Sequence, residues 1–276
     1  MRIVKASGET EPFAESKLRN SLKKAGASEE AIDAVVQDVI GRLRDGMTTK
    51  DIYSRAFSHL RRKERPTAGR YHMRMALMEL GPTGRPFERF VGELLKSEGF
   101  GVEVARIVQG VCVKHEVDVV GAKDSRHIMV ECKFHNQPGL RSDVKISLYV
   151  QARFEDVERQ WKKQPNHGEK FHEVWLVTNT KLTSDATDYA SCVGMHALGW
   201  NYPTEGSLQE LVEQHNLHPL TCLTLLNRFQ KQELLRQGFI LCKDILDNQG
   251  TLRKIVGNAK RADEIAQEAR ELTRDI

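Results

Sequence analysis

Two apolar runs of period two, parted by a short polar turn, constrain this chain more than any other feature. The first is His115-Glu116-Val117-Asp118-Val119-Val120-Gly121, and the second is Ile128-Met129-Val130-Glu131-Cys132-Lys133-Phe134. Lys123-Asp124-Ser125-Arg126 lies between them. Successive side chains of a strand point to opposite faces, so the pattern specifies two β-strands joined by a turn. Alternation places Glu131 and Lys133 on one face, roughly 6–7 Å apart. If the strands pair, Asp118 reaches that face too. Two carboxylates and an ammonium at strand ends make a chemical unit. Carboxylate oxygens are hard ligands for Mg²⁺, which takes one or two of them plus waters and phosphate oxygens. Such an ion lowers the pKa of bound water and stabilises charge on a phosphodiester. The lysine can position or deprotonate the attacking water.

An E-x-K triplet is common in proteins. Here it ends an apolar strand, thirteen residues after an acid on another apolar strand. Asp118 with Glu131-Cys132-Lys133 resembles the signature of the PD-(D/E)xK nucleases. Upstream, Gly81-Pro82-Thr83-Gly84-Arg85-Pro86 is a turn-rich break and the clearest domain boundary. Phe87 to Phe100 then reads as an amphipathic helix with a glycine stop, its stripe made by Phe87, Phe90, Val91, Leu94 and Leu95. Short strands follow at Val102-Glu103-Val104 and Arg106 to Val113, before the central pair. A helix covers Ser147 to Lys163, Val174 to Asn179 is a buried-type strand, and strand–helix–strand completes the core near Trp200. This order resembles the Mrr-like restriction endonucleases over residues 84–203. The resemblance implies that Glu88 joins Asp118 and Glu131 at the metal, and that Gln151 touches the active site. Glu88 would otherwise be a first-turn acid complementing the helix dipole. Glu116 and His115 read as solvated or structural, and Arg153 and Arg159 as phosphate contacts or i,i+4 partners.

The first residues, Arg2 to Phe13, form a β-hairpin with its turn at Ser7-Gly8. Helices are expected over Glu15–Lys24, from Ser28 to about Arg44, from a Thr48-x-x-Asp51 capping box through Leu60, and over Ala68–Leu80 after an interruption at Pro66. The order Val-Lys-x-x-Gly, Glu-x-Phe, Lys17-Leu18, Thr-Thr-x-x-Ile, Tyr-x-x-Arg resembles the ATP-cone over about residues 2–80. The resemblance implies nucleotide contacts from Lys5, Glu11, Lys17 and Thr49. It departs from the family where Lys-Arg-Asp-Gly becomes Lys5-Ala6-Ser7-Gly8, losing one phosphate-facing arginine. Arg55, Arg61, Arg62, Lys63, Arg65, Arg70 and Arg74 form a basic cluster opposed by Glu64, either a phosphate contact or a solvated face.

Beyond the core, Ser207-Leu208-Gln209-Glu210 is a capping box opening a short helix. Helices are expected over Leu220–Gln237, Lys243–Asp247 and Leu252–Leu272. The first two, with Gly238-Phe239-Ile240 between them, resemble a helix-hairpin-helix that offers backbone N–H groups to DNA phosphate.

The net charge of +4 is a mild bias towards polyanions. Five separated cysteines without a C-x-x-C argue against a disulfide framework or zinc site and suit a reducing cytoplasm. No apolar run reaches membrane-span length and no signal core opens the chain, so a cytoplasmic protein without membrane partners is expected. The expected fold is α/β: a mostly helical ATP-cone with a small hairpin over 1–82, a restriction-endonuclease-like core with a mixed sheet over 84–203, and a helical C-terminal region over 204–276. The expected activity is a Mg²⁺- or Mn²⁺-dependent DNA endonuclease, with ATP or dATP as effector, working as a homodimer or higher homo-oligomer. The alternative is a nucleotide-responsive DNA-binding regulator, or a repair or junction-binding protein, that does not cut.

Overall fold

The computed structural model describes residues 1–165 and 171–273. The chain divides into two compact units. One contains Met1–Leu80, Gln137–Gly139 and His218–Ile276; the other contains Gly81–Asn136 and Leu140–Leu217. The C-terminal helices thus form one compact unit with the N-terminal ones.

The first unit begins with β1 (Arg2–Val4) and β2 (Thr10–Pro12), paired antiparallel, with Gly8 at φ +84° in the turn as expected. Next come α1 (Glu15–Lys24) and α2 (Glu29–Gly41), the latter capped by Ser28, whose hydroxyl accepts the Ala31 N–H. β3 (Met47–Thr48) pairs parallel with β1 and escaped the sequence pattern because two residues show no period. α3 (Thr49–Lys63) opens with the expected Thr48/Asp51 capping box. α4 (Arg65–Met78) contains Pro66 in its first turn. Proline at that position starts a helix, since its missing N–H would have had no partner there. Leu18, Leu22, Ile32, Val35, Val36, Val39, Ala56 and Leu60 fill the core.

The second unit starts at α5 (Arg85–Ser97), again with a proline in its first turn. β4 (Gly101–Gln109), β5 (Lys114–Lys123) and β6 (Arg126–Lys133) follow as a meander, β4 being one strand where two short ones were expected. Then come β7 (Arg141–Ser142), α6 (Val144–Trp161), β8 (Phe171–Thr178), β9 (Lys181–Leu182), α7 (Ser184–Cys192), β10 (His196–Leu198) and α8 (Leu208–Gln214). The main sheet has the order β10-β8-β6-β5-β4, parallel from β10 to β6 and antiparallel from β6 to β4. It is the expected mixed sheet. Val150, Phe154, Val157 and Trp161 of α6 pack with Val117, Val120, Met129, Val174 and Leu176 of the sheet.

The chain then returns to the first unit through a 3₁₀ turn (Leu220–Cys222), α9 (Arg228–Arg236), α10 (Cys242–Asp247), α11 (Gln249–Val256) and α12 (Ala259–Leu272). Two expected helices are each broken. Leu220–Gln237 is split because Asn227 caps α9, and Leu252–Leu272 is split by Gly257 in the left-handed region. Thr221 Oγ1 donates to the Ala76 carbonyl at 2.7 Å, and Arg70 Nη2 donates to the Glu271 carbonyl at the end of α12 at 3.1 Å. A polar relay also ties these helices together. The Tyr53 hydroxyl bonds His72 Nδ1, His72 Nε2 faces Glu79 at 3.2 Å, and the Lys231 ammonium reaches Glu79 at 3.0 Å and the Thr221 carbonyl at 2.6 Å. Burial works against the Glu79 charge, but His72 and Lys231 hold its pKa down at about 2.

The helix-hairpin-helix expectation is also corrected. Gly238 N–H donates to Leu235, Phe239 to Leu234, Cys242 to His218, and both Ile240 and Leu241 to the Asp244 carboxylate. A turn whose amides all have internal acceptors offers none to DNA phosphate. Among the described residues no helix is long and apolar enough to cross a membrane, and the five cysteines are unpaired.

Candidate active site

Strand register brings the two central acids together. β5 and β6 pair from Lys123↔Arg126 to Val119↔Val130. One further step along the same register sets Asp118 opposite Glu131, where the ladder ends. Directly opposed residues of an antiparallel pair share a face, with Cβ atoms about 5 Å apart. In place of the next ladder bond, the Cys132 N–H donates to Asp118 Oδ2 at 2.7 Å. Met129, Glu131 and Lys133 succeed one another on the face roofed by α6. Past Lys133, the Thr178 hydroxyl donates to its carbonyl at 2.7 Å, and Asn179 clasps His135 in both directions, at 2.9 and 2.7 Å. The end of the E-x-K strand is therefore fixed by β8.

Glu88 arrives from the first turn of α5. Phe87 of that turn packs on Phe134, just beyond β6, with ring centroids 5.8 Å apart. Glu88 is buried beside Gly84 and pairs with Arg85 at 3.0 Å. Arg85 also holds the Glu116 carboxylate.

Burial raises the pKa of all three acids. For Glu88 the neighbouring Asp118 charge adds to it, and for Asp118 burial outweighs the Cys132 N–H and the Arg153 charge. Glu131 is pushed up to about 7, first by burial and then by Asp118, against the opposing pull of Arg153. Burial likewise pushes the Cys132 thiol well up, away from any thiolate role. The Lys133 ammonium makes no hydrogen bond or ion pair among the described residues, which leaves it available.

Arg153 of α6 is the residue that sequence reasoning misplaced. It pairs with Glu131 across the sheet, not with an i,i+4 neighbour, and also donates to the Glu116 carbonyl. Its guanidinium lies over the Tyr149 ring, 5.2 Å from the centroid. Gln151 lies on the same helix, two residues before Arg153. Its Nε2 donates to Glu155 at 3.1 Å, and its buried Oε1 has no partner among the described residues. Residues two apart on a helix face different ways. Arg153 flanks the buried stripe of α6 on the acid side, so Gln151 flanks it on the other. A sequence signal for Arg153 existed: an arginine bordering an apolar stripe needs a carboxylate within reach.

Among the described residues no three His, Cys, Asp or Glu side chains gather tightly enough to hold a metal ion. The expected three-carboxylate set is therefore not assembled, because Arg85 draws Glu88 and Arg153 draws Glu131. The donor set nonetheless fits a hard cation. Each acid has one oxygen engaged and one without a protein donor among the described residues. Asp118 and Glu131 are adjacent, half-buried and mutually repelling, which a divalent ion relieves. Two carboxylates suffice when water and phosphate complete the shell.

In the first unit, Lys5, Glu11 and Lys17 converge. Glu11 Oε2 lies 3.0 Å from the Lys5 ammonium and 3.1 Å from that of Lys17. The hydrogen bond from Lys5, then that from Lys17, lowers the Glu11 pKa. The parallel pairing Val4↔Thr48 places Thr49 next to Lys5 when continued by one residue. The four expected nucleotide contacts thus share one end of the small sheet.

Comparison with known proteins finds families over the stretches that hold these two clusters. The ATP cone domain family matches residues 1–75, the restriction endonuclease family of Mrr type matches 81–197, and the AF1548-like C-terminal family matches 218–273. An uncharacterized protein of Archaeoglobus fulgidus is 38% identical over 183 residues, covering 66% of this chain and 99% of that protein. A crystal structure titled as a protein of unknown function, AF1548, matches with a TM-score of 0.57 and 36% identity, over 69% of this chain and 98% of that chain. With such identity over nearly the whole of its relative, the chain belongs to the AF1548 family and carries an ATP cone ahead of an Mrr-type restriction endonuclease domain.

Proposed function

We propose that this protein is a DNA endonuclease that hydrolyses phosphodiester bonds with Mg²⁺ or Mn²⁺, biased by ATP or dATP on the cone. The observation that carries the reading is the register that sets Asp118 against Glu131, two residues before an available Lys133 on the same face. Asp118 and Glu131, with Glu88 behind them, would hold the ion. When bound, the ion supplies an acidified water and offsets charge on the phosphodiester. Lys133 orients the water that attacks phosphorus, and its charge balances the developing oxyanion. Arg85 and Arg153 oppose the upward pull of burial on the Glu88 and Glu131 carboxylates until phosphate arrives. Lys5 and Lys17 pair with nucleotide phosphates, while Glu11 and Thr49 bond base or ribose. For nucleotide to act, it must bind cutting and non-cutting states with different affinity. A homodimer supplies the second site needed to cut both strands, and free cysteines suit a reducing cytoplasm.

Plasmid nicking in Mg²⁺, with and without ATP and dATP, is the test. Lys133→Ala is expected to reduce nicking at least 100-fold with an unchanged melting temperature; cutting that survives the substitution rejects the site. The second reading, a nucleotide-responsive DNA-binding regulator, draws on the arginine partners that occupy Glu88 and Glu131. Nucleotide-dependent DNA binding without cutting under any condition would favour it.

A further inference from the structure

We propose that the cone carries a second anion site, separate from the Lys5–Glu11–Lys17 cluster, that takes a ligand bearing two or more phosphoryl groups. A cleft of about 510 Å³ lies along α3 and is lined by Arg42, Arg44, Arg55, Ser58, His59 and Arg62 among others. Arg55, Ser58 and Arg62 recur at spacings of three and four, so they form one row on α3. Arg55 and Arg62 are about 10 Å apart along the axis, a span that two linked phosphoryl groups can bridge. Arg42 and Arg44 face that row from the turn after α2.

Four arginines line this cleft against two acids. Asp38 accepts from Arg42 Nε at 3.2 Å, and Asp51 closes the capping box with Thr48. The bonds from Thr48, with the Arg44 and Arg55 charges behind them, lower the Asp51 pKa. The guanidiniums of Arg44, Arg55 and Arg62 make no hydrogen bond or ion pair among the described residues. Three uncommitted guanidiniums around one concavity match the bidentate geometry of phosphate oxygens. A second observation is independent of charge: His59 Nε2, on the cleft wall, is buried and has no hydrogen-bond partner among the described residues. A buried polar nitrogen without a partner is uncommon in folded proteins, and a shift of the imidazole towards the cleft on binding would let a ligand oxygen satisfy it.

The site is distinct from the nucleotide cluster by helix geometry. Thr49, beside Lys5, is on the opposite side of α3 from Arg55, Ser58 and Arg62. One small ligand cannot touch both. The phosphoryl groups have two sources, a free polyphosphate or the backbone of a single-stranded nucleic acid, and two probes separate them.

The full chain carrying Lys5→Ala and Lys17→Ala, which silence the first cluster, is titrated with inorganic tripolyphosphate and with labelled oligothymidylate. Binding of at least one probe is expected. Adding Arg55→Gln and Arg62→Gln should weaken it at least tenfold with an unchanged melting temperature. For the oligonucleotide, the salt-dependence slope should fall by about 1.4, at ~0.7 per lost phosphate contact. His59→Phe, which keeps the ring and removes the nitrogen, should weaken binding with all arginines in place. Loss for both probes assigns the cleft to nucleic-acid backbone, and tripolyphosphate binding alone assigns it to free polyphosphate. Absence of binding by either probe, or affinity unchanged by the arginine substitutions, overturns the proposal. No cleavage readout is involved, so failure of the nuclease reading would leave this result standing.

Discussion

Glu131 carries the largest electrostatic burden at the candidate site. Its pKa of about 7 in the fold stands well above an ordinary carboxylate. Below about pH 4.5 the group is protonated folded and unfolded, and the fold loses nothing. As pH rises through 7, the folded protein must ionise a buried acid beside Asp118, and that stability is lost. In chelator, the nuclease unit should therefore be about 2–3 kcal/mol less stable at pH 8 than at pH 4.5 through this group. Glu131→Gln should flatten that difference, and Mg²⁺ should recover it for the native residue; denaturant melts at both pH values read it out. Asp118, Glu131 and Lys133 were legible because period-two alternation, a turn and a ladder fix register together. The family pattern that named Gln151 says nothing about which flank of a helix faces the acids. Arg153 does, since its partner lies on β6, out of reach of any local spacing rule.

At the scale of elements, the clasp between α5 and β6 decides where Glu88 sits. Phe87 is fully buried and stacks near both Phe90 and Phe134. Phe87→Ala should cost about 3–5 kcal/mol. It should also lower nicking by more than the unfolded fraction accounts for, with activity measured well below the melting temperature. Long elements with an apolar stripe, such as α5 and α6, were readable from the chain. Short ones were not. β3 has two residues, and its identity comes from pairing with β1. Pro66 was read as an interruption because proline breaks helix interiors, yet the same residue is welcome in a first turn. Leu220–Gln237 and Leu252–Leu272 were each read as one helix where the Asn227 cap and Gly257 divide them.

At the scale of the molecule, the first unit is made from both ends of the chain. The relay from Tyr53 through His72 and Glu79 to Lys231 crosses from α3 to α9 and ends on the Thr221 carbonyl. Lys231→Met should leave the Glu79 carboxylate with one partner fewer and cost about 1–2 kcal/mol. That loss should appear in the melting of the first unit while Mg²⁺-dependent nicking at low temperature survives. Nothing in local composition announced this pairing, because contacts across some 150 residues leave no periodic trace. The nested order of segments has a consequence for biosynthesis. The ribosome has joined every residue of the second unit before it makes α9 to α12. That unit can close while the first still waits for its distant half. A truncated message would thus leave a closed restriction-endonuclease domain beside a first unit that lacks α9 to α12.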